Sequence, residues 1–157
     1  MLKINFIVVD RTKASYLRKG EEKYLKRLKR FVQYRYTEVK PEKIVKGKSD
    51  LEIAGKEGKR ILSKLEKGDY LIALDRSGKQ YNSRNFASWL KRLSLDVRGS
   101  VCFTIGGPVG LSEDVLKNAN SVFSLSKMTM THEMCRLLLM EQIYRAFTII
   151  EGHKYHK

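Results

Sequence analysis

Three short stretches of the chain combine freedom of backbone approach with groups that hydrogen-bond or pack against a small ligand. They are Leu74–Lys79, Gly106–Gly110 and Leu125–Thr131. The run Gly106-Gly107-Pro108-Val109-Gly110 lacks Cβ atoms at three positions, which lets backbone N–H and C=O groups come close to a bound molecule. It is not a Walker A loop, because no Gly-Lys-Ser/Thr follows, and its glycine spacing differs from the dinucleotide fingerprint. A tight strand-to-helix turn without a ligand accounts for it equally well. Met128 and Met130 fit either core filling or an adenine-sized apolar wall. Three histidines occur, His132, His153 and His156. They do not form a cluster with metal-ligand spacing, so a metal site is not expected. The terminal Gly152-His153-Lys154-Tyr155-His156-Lys157 reads either as a loose end or as a functional tail. In the second reading, a stacking ring stands beside a group that titrates near neutrality.

The elements that carry these residues alternate. Leu2–Val9 predicts a strand, and Thr12–Phe31 a helix with Leu17, Tyr24, Leu28 and Phe31 on one face and a lysine- and arginine-rich remainder. Tyr34–Val39 predicts a second strand. A basic loop, 41–49, leads to a helix capped by Ser49 or Asp50, with a buried stripe of Leu51, Ala54, Gly58, Ile61, Leu62 and Leu65. Gly68 ends it. Tyr70–Leu74 is a continuous apolar run, as in a strand covered on both faces, and Asp75–Lys79 turns the chain. Asn82 or Ser83 caps a helix buried through Phe86, Trp89 or Leu90, and Leu93. Val101–Ile105 is the fourth strand, Ser112 caps a short helix, and Val122–Leu125 is a fifth strand. Glu133–Ile150 is a last helix, apolar on nearly every side, and that excess predicts a homodimer interface. The pattern is α/β, a mostly parallel sheet flanked by helices. No repeat, linker or composition break divides residues 1–157, so one domain is expected.

Composition narrows the partners. Thirty-two Lys and Arg face seventeen Asp and Glu, a net charge of +15. Such a surface attracts polyanions and raises their encounter rate, which makes nucleic acid the leading partner. An anionic membrane is disfavoured because the helices commit their apolar faces to a core, and no stretch approaches a spanning segment. The N-terminal apolar run reads as a strand and not a signal peptide. Two cysteines, Cys102 and Cys135, sit in apolar stretches and are expected in the core of a cytoplasmic protein.

Taken in order, Phe103-Thr-Ile-Gly-Gly-Pro-Val-Gly-Leu111, Ser124-Leu-Ser-Lys-Met-Thr-Met-Thr-His132, Glu141-Gln-Ile-Tyr-Arg-Ala-Phe147 and Tyr155-His156-Lys157 resemble the RlmH family across essentially the whole chain. Two departures stand out. Thr131 occupies a position where many members have proline, and Asp75-Arg76-Ser77 is a variable part of the first loop. The resemblance implies a SPOUT fold with a C-terminal trefoil knot, which sequence physics alone would not predict. It also implies a homodimer built on the last helix. The activity it implies is transfer of a methyl group from S-adenosylmethionine to N3 of a pseudouridine in helix 69 of 23S rRNA, on the assembled ribosome. Carried over motif by motif, cofactor contacts fall on Leu74, Gly106, Leu125, Ser126, Lys127, Met128, Thr129 and Met130. Among the tail and helix residues, His156 is the leading base, Tyr155 positions or stacks on the nucleobase, and Arg145 holds phosphate or a developing anion. Two other readings compete. A non-catalytic RNA-binding or ribosome-associated protein leaves the three loops idle, and an α/β enzyme for an anionic small molecule would be indifferent to ribosomes.

Overall fold

The computed structural model describes residues 1–157. Ten elements alternate: β1 (Leu2–Val9), α1 (Ser15–Leu28), β2 (Val32–Val39), α2 (Asp50–Leu62), β3 (Tyr70–Lys79), α3 (Ser83–Asp96), β4 (Val101–Ile105), α4 (Glu113–Asn118), β5 (Ser121–Phe123) and α5 (His132–Ile150). The strands form one sheet in the order β2-β1-β4-β3-β5, every neighbouring pair parallel. The expected α/β class is observed.

Period-two alternation divides the interior between the two faces of the sheet. Ile4, Phe6 and Val8 of β1 join Val101, Phe103 and Ile105 of β4 in the larger core, with α3 and α5. Ile7, Val9 and Cys102 point to the other face, where α2 contributes Ile61 and α4 contributes Val115. Side chains supply the helix starts that the sequence signals. Ser49 accepts from the Glu52 N–H at 3.2 Å, Asn82 from Asn85 at 2.8 Å, and Ser112 from Val115 at 3.2 Å. Thr131, the departure from the family's proline, serves as N-cap of α5, accepting from the Met134 N–H at 3.2 Å.

Several expectations are corrected. Helix α1 starts at Ser15 and not Thr12, because Thr12 is buried and its hydroxyl accepts from Arg136 at 3.1 Å. Strand β2 begins at Val32, and β5 is Ser121–Phe123 instead of Val122–Leu125. Leu51 is exposed, and Ile53 holds the buried position on α2. Strand β3 runs on to Lys79, but its register breaks. Leu74 and Lys79 both pair with Phe123, so Asp75–Gly78 bulge out between them. The expected turn is therefore an excursion inside a strand. Gly78 allows it, since a Cβ there would lie 2.6 Å from the Phe123 nitrogen.

Helix α5 packs against both α1 and α3. These neighbours cover part of the apolar surface that sequence alone assigns to a homodimer interface. Leu138, 37% exposed, is the large apolar side chain of α5 that stays open.

Candidate functional site

A parallel sheet offers a ligand crevice beyond the carboxyl ends of its strands, where the connections of two adjacent strands diverge. Here those strands are β1, which leads outward to β2, and β4, which leads toward β5 on the opposite edge. An open cleft of about 950 Å³ lies there. Its walls are Leu74 with Asp75 and Arg76 of the β3 bulge, the glycine loop from Ile105 to Leu111, and the segment from Phe123 to Cys135 without Lys127 and Met134. The three loops singled out by sequence thus converge on one cavity. A fourth wall, Ala14, Tyr16 and Leu17 at the start of α1, was not anticipated. Its only sequence signal is that it follows β1.

Of the eight residues expected to touch a cofactor, seven line the cleft: Leu74, Gly106, Leu125, Ser126, Met128, Thr129 and Met130. Lys127 is exposed and does not line the cleft. The walls brace one another. Arg76 donates to the Thr129 hydroxyl at 2.8 Å, joining the β3 bulge to the loop after β5. The Ser126 hydroxyl accepts from the Met128 N–H at 3.0 Å, turning that loop. A Cβ on Gly106 would stand 2.5 Å from the Gly110 carbonyl carbon, so the loop closes only with glycine there. Gly110 adopts a φ of +81°, the left-handed region that favours glycine.

Ionisable groups surround this cavity without clustering as metal ligands. His132 lines the cleft, and burial, then the charge of Arg136, pushes its pKa down, so it is a neutral imidazole near pH 7. Cys135 also lines the cleft and is half-buried, which corrects its expected core placement. Cys102 is in the core, where burial, then the Asp69 carboxylate, pushes its thiol up to about 12. Glu57 of α2 backs the glycine loop. It is 2% exposed, its Oε2 accepts from the Glu42 N–H at 3.0 Å, and its Oε1 has no partner. Burial raises its pKa.

The tail residues meet each other but not the cleft. Tyr155 donates to Glu141 Oε1 at 3.0 Å and packs edge-on against Tyr144 at 4.9 Å. Arg145 pairs with Glu141 one turn away, lies over the Tyr155 ring at 4.9 Å, and reaches His156 Nδ1 at 3.4 Å. The guanidinium only donates, so Nδ1 is the acceptor in this contact and the ring proton belongs on Nε2. Burial, with Tyr24 and Glu141 adding to it, raises the Tyr155 pKa, so the phenol keeps its proton and donates to Glu141. Cys135 is the last α5 residue on the cleft. Glu141 and Arg145 lie roughly 9 and 15 Å further along the helix axis, at 1.5 Å per residue. Within one chain the tail therefore stands apart from the loops that form the cleft.

An all-parallel sheet with a glycine loop after its central strand, and a cleft where the connections diverge, defines a small open-sheet α/β protein with one ligand crevice. The family model described as "Predicted SPOUT methyltransferase" matches residues 2–156, and the chain belongs to that family. Ribosomal RNA large subunit methyltransferase H of Streptococcus thermophilus strain CNRZ 1066 is 43% identical over 159 residues, covering 99% of this chain and all of the relative. The protein of the same name from Halothermothrix orenii is 41% identical over the same span. The resemblance read from the motifs is borne out. Among solved structures, a probable methylase family protein from Haemophilus influenzae Rd KW20 superposes with a TM-score of 0.54 at 12% identity, over 99% of this chain and 70% of that one. A probable methyltransferase from Bordetella pertussis Tohama I gives 0.55 at 13% identity, over 92% and 96%. At these identities the likeness is one of fold.

Proposed function

We propose that the protein is an S-adenosylmethionine-dependent methyltransferase acting on N3 of a pseudouridine in helix 69 of 23S rRNA, on the assembled ribosome in the cytoplasm. The observation that carries this reading is the convergence of the glycine loop, the β3 bulge and the loop after β5 on one cleft at the strand ends. The residues there fit the cofactor. The cavity lies within the range of about 300–1,000 Å³ of small-molecule sites, and half of its 24 lining residues are hydrophobic. Leu74, Ile105, Leu125 and Met130 supply apolar walls for an adenine, and backbone groups of Gly106 and of 125–130 supply hydrogen bonds. When bound, S-adenosylmethionine supplies an electrophilic methyl on its sulfonium.

The protein's part is to bring the ring nitrogen in line with that methyl, and holding two reactants in that geometry lowers the barrier substantially. The N3 proton must also leave. His156 takes it, Tyr155 stacks on the base, and Arg145 holds a phosphate or the developing anion. His156 must first let go of Arg145, whose guanidinium faces its Nδ1 lone pair in the isolated chain. The separation of tail and cleft along α5 supports a homodimer in which the tail of one copy serves the cleft of the other. The open Leu138 on α5 is consistent with that. The knot belongs to the same reading. After β5 at one sheet edge, the chain crosses back over α3 to pack on α1.

The test is titration calorimetry with S-adenosylmethionine. The unmodified protein should bind, and Gly106→Val should lose measurable binding, since its side chain has no room beside Gly110. Normal affinity in the variant would remove the glycine loop from the site. A non-catalytic RNA-binding protein would bind ribosomes and ignore the cofactor in both forms.

A further inference from the structure

A second concavity lies beside the cleft. It is a groove of about 570 Å³ between the end of β3 and the outer face of α3, lined by Lys79, Gln80, Tyr81, Asn85, Ser88, Lys91, Arg92 and Leu95. It contains three cations and no carboxylate. None of the three cations is in a salt bridge. The Lys79 ammonium is engaged only with the Tyr81 ring, 4.9 Å from its centroid. Tyr81 itself is fixed from within by stacking on Trp89 at 5.0 Å, 10° from parallel. Uncompensated charge in a concave surface, with amide and hydroxyl groups between the cations and a rigid ring at the edge, is the chemistry that receives a sugar–phosphate strand.

The β3 bulge sets how this groove meets the cleft. Leu74, which lines the cleft, and Lys79, which lines the groove, both pair with Phe123. Neighbouring strands lie roughly 5 Å apart, so the two residues are within about 10 Å of each other across Phe123. The groove and the cleft therefore approach each other at the end of β3. A second copy of this chain is a poor occupant, because a protein of net charge +15 meets a cationic groove with unfavourable electrostatics.

We infer that this groove is a second RNA subsite, where Lys79, Lys91 and Arg92 hold the phosphate backbone of the substrate RNA beside its reacting nucleotide. This rests on the RNA methyltransferase reading above. No residue of the groove belongs to the cofactor site or to the tail.

The experiment is a double charge reversal, Lys91→Glu with Arg92→Glu, on the exposed face of α3, with Lys91→Gln and Arg92→Gln as the milder pair. Three quantities are measured for each full-length protein. These are calorimetric affinity for S-adenosylmethionine, equilibrium binding to large ribosomal subunits across a salt series, and methyl transfer against subunit concentration. The expected result is unchanged cofactor affinity, at least tenfold weaker subunit binding with KM raised to match, and kcat retained. Losing two phosphate contacts should also flatten the slope of log K against log salt by roughly 1.4 to 1.8. The glutamine pair should show the same pattern more weakly. Subunit affinity and salt slope equal to those of the unmodified protein would overturn the inference. So would a change in sedimentation showing that the groove joins two copies. If the unmodified protein transfers no methyl group to RNA, the parent reading fails, and the binding arm still decides whether the groove holds RNA.

Discussion

Tyr155 and His156 carry the sharpest claims at the scale of single residues. Tyr155 is a hydrogen-bonded, protonated phenol packed on Tyr144, and His156 faces Arg145. Replacing Tyr155 with Phe and His156 with Ala changes no residue that lines the cleft within its own chain, so calorimetry should find cofactor binding retained. Turnover should fall in both variants, by about 10²-fold or more for His156→Ala if it transfers the proton. Unchanged turnover in both would discard these roles. At this scale the sequence was most informative where a residue type has few uses. Glycines at 106 and 110 announced a backbone that approaches something closely, and seven of eight expected contact residues line the cleft. Lys127 stands outside the lining because position in a motif does not tell which way a loop side chain points. Arg136 and Glu57 were invisible for a different reason. Charged residues on helices read as solvent-facing, and only the tertiary fold shows that these two are buried.

That burial acts at the scale of elements. Arg136 is fully buried on α5, and its guanidinium donates to the carbonyls of Val9 and Asp10 and to the Thr12 hydroxyl. Asp10 holds a φ of +66°, an uncommon conformation for a residue with a side chain. Glu133, three residues before Arg136, accepts from the N–H groups of Lys13 and Ala14 at 2.8 and 3.0 Å. These bonds tie the β1–α1 connection to the start of α5 and so fix the wall of Ala14, Tyr16 and Leu17. Arg136→Ala leaves those acceptors unpaired in the interior, as well as a cavity. It should cost about 3 to 5 kcal/mol, measurable by urea unfolding. A loss below about 1 kcal/mol would show the tether to be dispensable. Element type and order were legible because strand alternation and helix caps are local signals. The long β3 was not, because its last residues return to the sheet only through pairing with Phe123, a non-local event that no local pattern encodes. The apolar excess of α5 was read as a dimer face, whereas much of it serves α1 and α3.

Charge governs the behaviour of the whole molecule. Most of the excess cations are unpaired, and the exceptions concentrate around Glu42. Its carboxyl is held at about 2 by hydrogen bonds from Lys48, then Arg60. The folded value lies below the ordinary 4.5, so the stabilisation is full above pH 4.5 and is lost as the pH falls through about 2. Glu21 and Glu57 are displaced upward by burial. Their sign is opposite, and they favour the fold below the ordinary carboxyl pKa and oppose it as the pH rises. Thermal melts from pH 6 to pH 2 should therefore fall more steeply on the acid side for the unmodified protein than for Glu42→Gln. Parallel curves would contradict the assignment.

Assembly and reaction meet in one experiment at this same scale. Ribosomes from a strain lacking the protein are incubated with it and methyl-labelled S-adenosylmethionine, and the labelled nucleotide is mapped. The account predicts label on a single pseudouridine of helix 69 in 23S rRNA, absent with Gly106→Val. Label elsewhere, or none despite cofactor binding, would contradict it.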